Sequence, residues 1–130
     1  MKFSQARSYL LKRPEAREDF PFGPDVAVFK IQKKMFATLV EDKSGARMNL
    51  KCDPNEALIL RDIFKAVQPG YHMNKRHWNT IVLDGDIPNG EIERMIENSY
   101  SLVVQGLPKN ARQSLEIRHG QEAIYSKPAS

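Results

Sequence analysis

The hydrophobic and polar positions follow two periods in the first forty residues, and these predict one helix and then two strands. Residues 3–12 place apolar side chains at helical spacing. Residues 26–31 and 35–40 are rich in β-branched and aromatic side chains, which is typical of strands. The step between them, Gln32-Lys33, has the length of a hairpin turn but lacks the glycine that makes such a turn easy.

Residues 46–52 alternate strictly between apolar and polar side chains, the pattern of a strand with one buried face. A turn at residues 43–45 leads into it, so the three strands predict an antiparallel meander. The core face of this third strand carries Ala46, Met48, Leu50 and Cys52, and the opposite face carries Arg47, Asn49 and Lys51. The exposed face of the meander is therefore expected to be cationic.

The second half of the chain predicts helices and one more strand. Asp53-Pro54 is a strong helix start, with an N-cap aspartate and proline at the first helical position. The apolar spacing extends this helix to residue 67. The further predicted elements are a strand at 79–83, a helix from 88 to 105 and a short helix at 109–115. The order α-β-β-β-α-β-α-α predicts an α+β fold, with helices packed on one face of an antiparallel sheet.

The chain has 130 residues, which fits a single domain. We expect this domain to span residues 1–115, followed by a partly flexible C-terminal tail at 116–130. Phe20 and Phe22 lie in a connection rich in proline and glycine and are expected to fold back onto the core.

The composition narrows the class of protein. Cys52 is the single cysteine, so no intrachain disulfide can form. The N-terminus lacks the apolar run of a signal peptide, and no segment approaches the roughly 20 apolar residues that a membrane span needs. We therefore expect a cytoplasmic protein without a membrane partner.

Charge is unevenly distributed along the chain. The formal net charge is +4, and residues 30–51 alone hold six bases against two acids. Residues 84–97 hold five acids against one base. If these segments lie on different faces, the molecule is electrically two-sided, and its basic side suits an anionic partner.

Catalytic and metal-binding patterns are not found in the sequence. His72 and His77 are five residues apart. This spacing matches neither the i, i+4 histidine pair of a helical metal site nor a Cys-x-x-Cys motif. Cys52 is expected on the core face, and there is no nucleophile motif or glycine-rich phosphate loop. We expect no metal, no cofactor and no enzymatic activity.

Residues 69–84 concentrate polar, aromatic and cationic side chains between a Pro-Gly turn and a β-branched run. Such a connection on a rigid scaffold is a frequent site of binding. Tyr71 and Trp78 either anchor this loop or stack on an exposed base, and we favour anchoring.

The same segment carries a family resemblance. Residues 69–80, Pro-Gly-Tyr-His-Met-Asn-Lys-Arg-His-Trp-Asn-Thr, resemble the central motif of the MmcQ/YjbR family of small bacterial proteins. The flanking segments that agree are 18–24, 28–30, 35–37, 50–54 and 99–103, so the resemblance covers most of the chain. It implies an α+β fold similar to that of type III secretion chaperones, and DNA binding through a double-wing arrangement.

The resemblance leads to a set of candidate DNA contacts. The residues expected to contact phosphates are Lys33, Lys34, Arg47 and Lys51, and those expected to approach the backbone or the bases are Asn74, Lys75, Arg76 and His77. The alternative is a protein-interaction or chaperone-like module, which would be indicated by an apolar surface patch and by binding that is insensitive to salt.

Overall fold

Five helices and six strands follow one another in residues 1–125, which are the residues that the computed structural model describes. In chain order they are α1 (Phe3–Leu11), β1 (Arg17–Asp19), β2 (Ala27–Ile31), β3 (Lys34–Asp42), β4 (Gly45–Lys51), α2 (Pro54–Ile63), β5 (Val67–Pro69), β6 (Trp78–Val82), α3 (Asn89–Gln105), α4 (Lys109–His119) and α5 (Gln121–Ile124).

The strands form one sheet in the order β1-β2-β3-β4-β6-β5, with every neighbouring pair antiparallel. The predicted α+β class and the β2-β3-β4 meander are confirmed. The sheet has two strands more than the sequence predicted, β1 and β5. Each has three residues and pairs with a longer neighbour, β1 with β2 and β5 with β6.

A turn at residues 64–66 and the start of strand β5 replace the last turn of the predicted second helix. Asp53 caps α2 as predicted, since its carboxylate accepts hydrogen bonds from the backbone N–H groups of Asn55 and Glu56. The helix ends at Ile63 instead of residue 67, because Phe64 has an extended backbone with φ −115° and ψ 117°. Val67 then pairs with Ile81 of β6. Its apolar side chain is therefore buried as part of a strand and not of a helix.

The core lies between the sheet and α3. The pairing between β2 and β3 shifts at Phe36, so that this extra residue and Ala37 are both buried. The Phe36 ring meets the Tyr100 ring edge-on, with centroids 5.4 Å apart. Ser99 joins the same helix to the sheet, because its hydroxyl donates to the Phe36 carbonyl and accepts from the Lys51 N–H.

The connection at residues 20–26 differs from the expectation. Phe20 and Phe22 were expected to pack on the core, but they are 47% and 70% exposed. Phe22 lies with Val26 over the face of the sheet opposite the helices, beside Val40 of β3. This face is therefore partly covered by loops.

The C-terminal segment continues beyond the predicted boundary at residue 115. Helix α4 runs to His119, and α5 buries Ile124, which is 2% exposed. The Tyr125 hydroxyl donates to Glu116. Residues 116–125 thus pack against the domain, and the rest of the predicted tail, 126–130, lies outside the described residues.

Glu15 ties the end of α4 to the loop after α1. Its carboxylate accepts a 2.8 Å hydrogen bond from Arg118 Nε and lies 2.7 Å from His119 Nε2. These contacts, the one with His119 first, hold the pKa of Glu15 below its ordinary value of 4.5.

We expect Glu15→Gln to reduce the loss of stability in acid. A carboxyl with a lowered pKa stabilises the fold above its ordinary pKa, and this contribution disappears as the pH falls through the lowered value. Its size is below about 1 kcal/mol because the group is solvent-accessible. Urea unfolding of wild type and variant between neutral pH and about pH 3 measures it. Glu122→Gln, an exposed change on α5, is the control, and parallel curves for Glu15→Gln and wild type would contradict the expectation.

Candidate nucleic-acid interface and the 70–77 loop

The strand pairing places several predicted contacts at one end of the sheet. The β2–β3 turn holds Lys33, and Lys51 ends β4 opposite Trp78, the first residue of β6. Pro69 pairs with Asn79, so the 70–77 loop leaves the sheet at the same end. We call this end, with the β2–β3 turn, Lys51 and the 70–77 loop, the basic end. Strands β3 and β6 are two spacings apart, about 10 Å, so the turn and the loop flank a narrow strip.

The cations of the basic end differ in how they are bound. Lys33, Lys34 and Arg76 are exposed and form no ion pair with any other residue in 1–125. Lys51 is half-buried and is likewise without an ion pair in that range. Lys75 binds within the loop, because its Nζ donates a 3.1 Å hydrogen bond to the Gly70 carbonyl.

Arg47 is the predicted contact that the structure does not bring to the basic end. It pairs across the sheet with Val82, toward the other end. Its Nη1 lies 2.9 Å from Asp42 Oδ2 in an ion pair. Arg47 also lines a cleft on the open face of the sheet.

The opposite end of the sheet is acidic. It contains the β3–β4 turn with Glu41 and Asp42 and the turn after β6 with Asp84 and Asp86. These four acids thus lie at the end of the strands away from Lys33 and Arg76, whereas the acids at residues 91–97 lie on α3.

The sheet holds the 70–77 loop through its backbone. Tyr71 N–H donates a 2.8 Å hydrogen bond to Thr80 Oγ1, and the Tyr71 carbonyl accepts one from Asn49 Nδ2. Thr80 Oγ1 in turn donates to Asn49 Oδ1. Asn49 therefore positions the loop, a role that alternation along β4 alone did not indicate.

Helix α2 holds the other side of the loop through Arg61, which was not a predicted site residue. Arg61 Nε donates a 2.7 Å hydrogen bond to Asn79 Oδ1, and its Nη2 donates to the carbonyls of Lys75 and Trp78. Asn79 is buried and donates to the Ala57 carbonyl of the same helix. One guanidinium thus fixes both the start of β6 and the cationic part of the loop.

The remaining predicted loop residues have structural contacts. Asn74 Oδ1 accepts a hydrogen bond from the Arg76 N–H, and the His77 carbonyl accepts one from the Cys52 N–H.

Tyr71, expected to anchor the loop with its ring, is instead 59% exposed, and its ring lies 4.0 Å from that of His72. Trp78 is half-buried, and its Cβ and carbonyl oxygen lie close to Gly70, while its anchoring role stays a prediction.

The thiol of Cys52 and the possible metal ligands of the described residues complete the account of the site. Burial raises the pKa of the Cys52 thiol to about 12, so the reactive thiolate is scarce at neutral pH. Residues 1–125 contain no cluster of three or more His, Cys, Asp or Glu side chains placed to hold a metal ion. No helix in this range is long and apolar enough to cross a membrane.

Comparisons with known proteins identify relatives along most of the chain. The family model described as YjbR matches residues 11–102. The uncharacterized protein YbdF of Escherichia coli O157:H7 is 36% identical over 115 residues, which cover 88% of this chain and 93% of that protein. The uncharacterized protein YjbR of Escherichia coli K12 is 30% identical over 88% of this chain and 98% of its own length.

Solved structures have the same fold. Deinococcus radiodurans protein DR2400, which carries the domain DUF419, is 31% identical and superposes with a TM-score of 0.84, covering 97% of this chain and 96% of its own. A Pseudomonas syringae protein from the Northeast Structural Genomics Consortium is 32% identical, with a TM-score of 0.68 over 78% of this chain and 98% of its own. The resemblance drawn from residues 69–80 is confirmed, and the chain belongs to the YjbR family.

Proposed function

We propose that this chain is a cytoplasmic, non-enzymatic DNA-binding protein that contacts phosphates with the basic end of its sheet. The observation that supports this proposal is the set of exposed cations, Lys33, Lys34 and Arg76, that have no ion pair in residues 1–125. Such cations release counterions from DNA when they meet phosphates, which drives association.

The architecture supports contact with a phosphate backbone. The turn with Lys33 and the loop with Arg76 project from the same sheet end on either side of Lys51. Asp53 comes shortly after Lys51 in the chain, but its carboxylate accepts hydrogen bonds from backbone N–H groups at the start of α2. Within residues 1–125 it forms no ion pair with Lys51. The acids Glu41, Asp42, Asp84 and Asp86 lie at the far end, where they would orient the molecule in the field of DNA.

The test is the double variant Lys33→Glu with Lys34→Glu. We expect the affinity for labelled duplex DNA to fall at least about tenfold, and the slope of log affinity against log salt to fall by about two. Fluorescence anisotropy at several salt concentrations measures both quantities, and circular dichroism checks that the variant is folded.

The matched control is Lys43→Glu with Lys65→Glu, because it changes the net charge equally at two exposed lysines away from the basic end. We expect it to weaken binding less than about threefold, through the long-range field alone. Equal losses in both double variants, or no duplex binding by the wild type at low salt, would reject the proposed interface.

A second candidate is a protein-interaction module, favoured by exposed apolar side chains on α2. Leu58, Ile59 and Ile63 are each more than half exposed and lie on neighbouring turns of that helix. Adjacent exposed apolar residues are a recurrent feature of protein contacts. This candidate predicts binding that does not weaken with salt, and it would be lost in Ile59→Lys with the basic end unchanged.

A further inference from the structure

The open face of the sheet, opposite the helices, carries a cleft of about 400 Å³. Its floor is formed by β3, β4 and β6, and its walls are the 20–26 connection and the 70–77 loop. This volume lies in the range of small-molecule sites. The apolar side chains that line it include Phe22, Val26, Met35, Val40, Tyr71 and Met73.

Two of these apolar residues are exposed aromatics that enter from opposite walls. Phe22 comes from the connection before β2 and Tyr71 from the loop after β5, and both residues are more than half exposed. Exposed rings on two walls of one cleft offer faces and edges to a planar ligand. An aromatic ligand would bury more of the surface of these two rings than a short aliphatic ligand.

The polar groups of the cleft are of two kinds. Asn49 and Thr80 bind each other and the Tyr71 backbone, so they are already occupied. The side chains of Thr38 and His72 have no hydrogen-bond partner among the described residues. Arg47 has one ion pair, with Asp42, and its guanidinium carries further N–H groups.

The Thr38 hydroxyl, the His72 imidazole and the Arg47 guanidinium can each donate a hydrogen bond, and no Asp or Glu is among the described residues that line the cleft. A neutral amine or a cation would therefore find no carboxylate there, whereas an anion would meet Arg47. Exchange of Asp42 for a ligand carboxylate costs little, because Asp42 is about half exposed and such pairs contribute little to stability.

We propose that this cleft binds a small aromatic carboxylate, with its ring between Phe22 and Tyr71 and its carboxylate on Arg47 and Thr38. This site shares the 70–77 loop with the basic end, but Lys33, Lys34 and Arg76, the proposed phosphate contacts, do not line it. Its existence does not depend on DNA binding.

The test compares 1-naphthoate with its neutral analogue 1-naphthamide, using calorimetry and backbone amide chemical shifts. We expect naphthoate to bind about tenfold more tightly, because its carboxylate makes charge-assisted hydrogen bonds. The shifts should map to β3, β4 and residues 70–73. Equal affinities, no binding at millimolar ligand, or shifts confined to α2 around Ile59 would overturn the proposal.

Two variants make the test specific. Arg47→Gln should remove most of the preference for naphthoate, whereas Lys43→Gln, an equal charge change in the neighbouring turn and outside the cleft, should keep it. Retention of the full preference in Arg47→Gln would overturn the assignment of the carboxylate. A single-stranded oligonucleotide serves as competitor, and full displacement of naphthoate by it would instead assign the cleft to a nucleobase.

Discussion

Gly70→Ala is expected to destabilise the domain by about 3 kcal/mol, because the added methyl group would overpack the site. A Cβ at this position would lie 2.8 Å from Trp78 Cβ, 2.9 Å from the Trp78 carbonyl oxygen and 3.1 Å from Met73 Cβ. The backbone cannot retreat easily, since Gly70 N–H donates to the Trp78 carbonyl and its own carbonyl accepts from Lys75. The glycine is needed for close approach, not for an unusual backbone angle.

Urea denaturation followed by Trp78 fluorescence measures this loss directly. Gly90→Ala is the matched control, because nothing lies within 4 Å of the Cβ built at this glycine in the first turn of α3. We expect the control to be neutral or slightly stabilising, since alanine has the higher helix propensity. If both variants unfold at the same urea concentration as wild type, the loop is less tightly packed on β6 than the structure indicates.

The elements that the sequence predicted well are those with local signals. Asp53 and Pro54 mark the start of α2, and the alternation at residues 46–52 separates the two faces of β4. Strands β1 and β5 have no such signal. Arg17–Asp19 contains no apolar residue, and its strand state depends on pairing with β2. Partners distant in the chain decide such short strands, and a single sequence does not show those partners.

The candidate site was only partly predictable for a related reason. The clustering of cations was visible along the chain, and the pairing of the strands brings Lys33 and Arg76 to one sheet end. Arg47 was grouped with them because alternation places it on the same face of β4 as Lys51, but its position four residues before Lys51 places it toward the acidic end, beside Asp42. The cleft joins two loops about fifty residues apart, so no local pattern contains it.

Arg61 was missed because its partners follow it by 14 to 18 residues, across β5 and the loop. Its charge looked like that of any exposed helical arginine. The structure instead makes it the link between α2 and the 70–77 loop. The position of Arg76, a proposed phosphate contact, therefore depends on a residue that does not itself face the DNA in our proposal.

Arg61→Met is accordingly expected to lower both stability and duplex affinity. Methionine keeps part of the aliphatic volume but leaves Asn79 Oδ1, which belongs to a residue only 2% exposed, without its donor. An unsatisfied buried acceptor together with the lost bonds to the Lys75 and Trp78 carbonyls corresponds to about 2–3 kcal/mol. With the loop freed, Arg76 must be ordered on binding, which we expect to cost about threefold to tenfold in affinity.

The control is Arg94→Met, which removes the same charge from α3, where Arg94 pairs with Glu91 and Glu56 at a solvent-accessible position. We expect this variant to lose less than about 1 kcal/mol of stability. Urea unfolding and anisotropy titrations on both variants separate the loss of positioning from the loss of charge. Equal effects of the two substitutions on DNA affinity would mean that only the charge of Arg61 matters. A larger effect of Arg61→Met would instead identify the link between α2 and the loop as a determinant of binding.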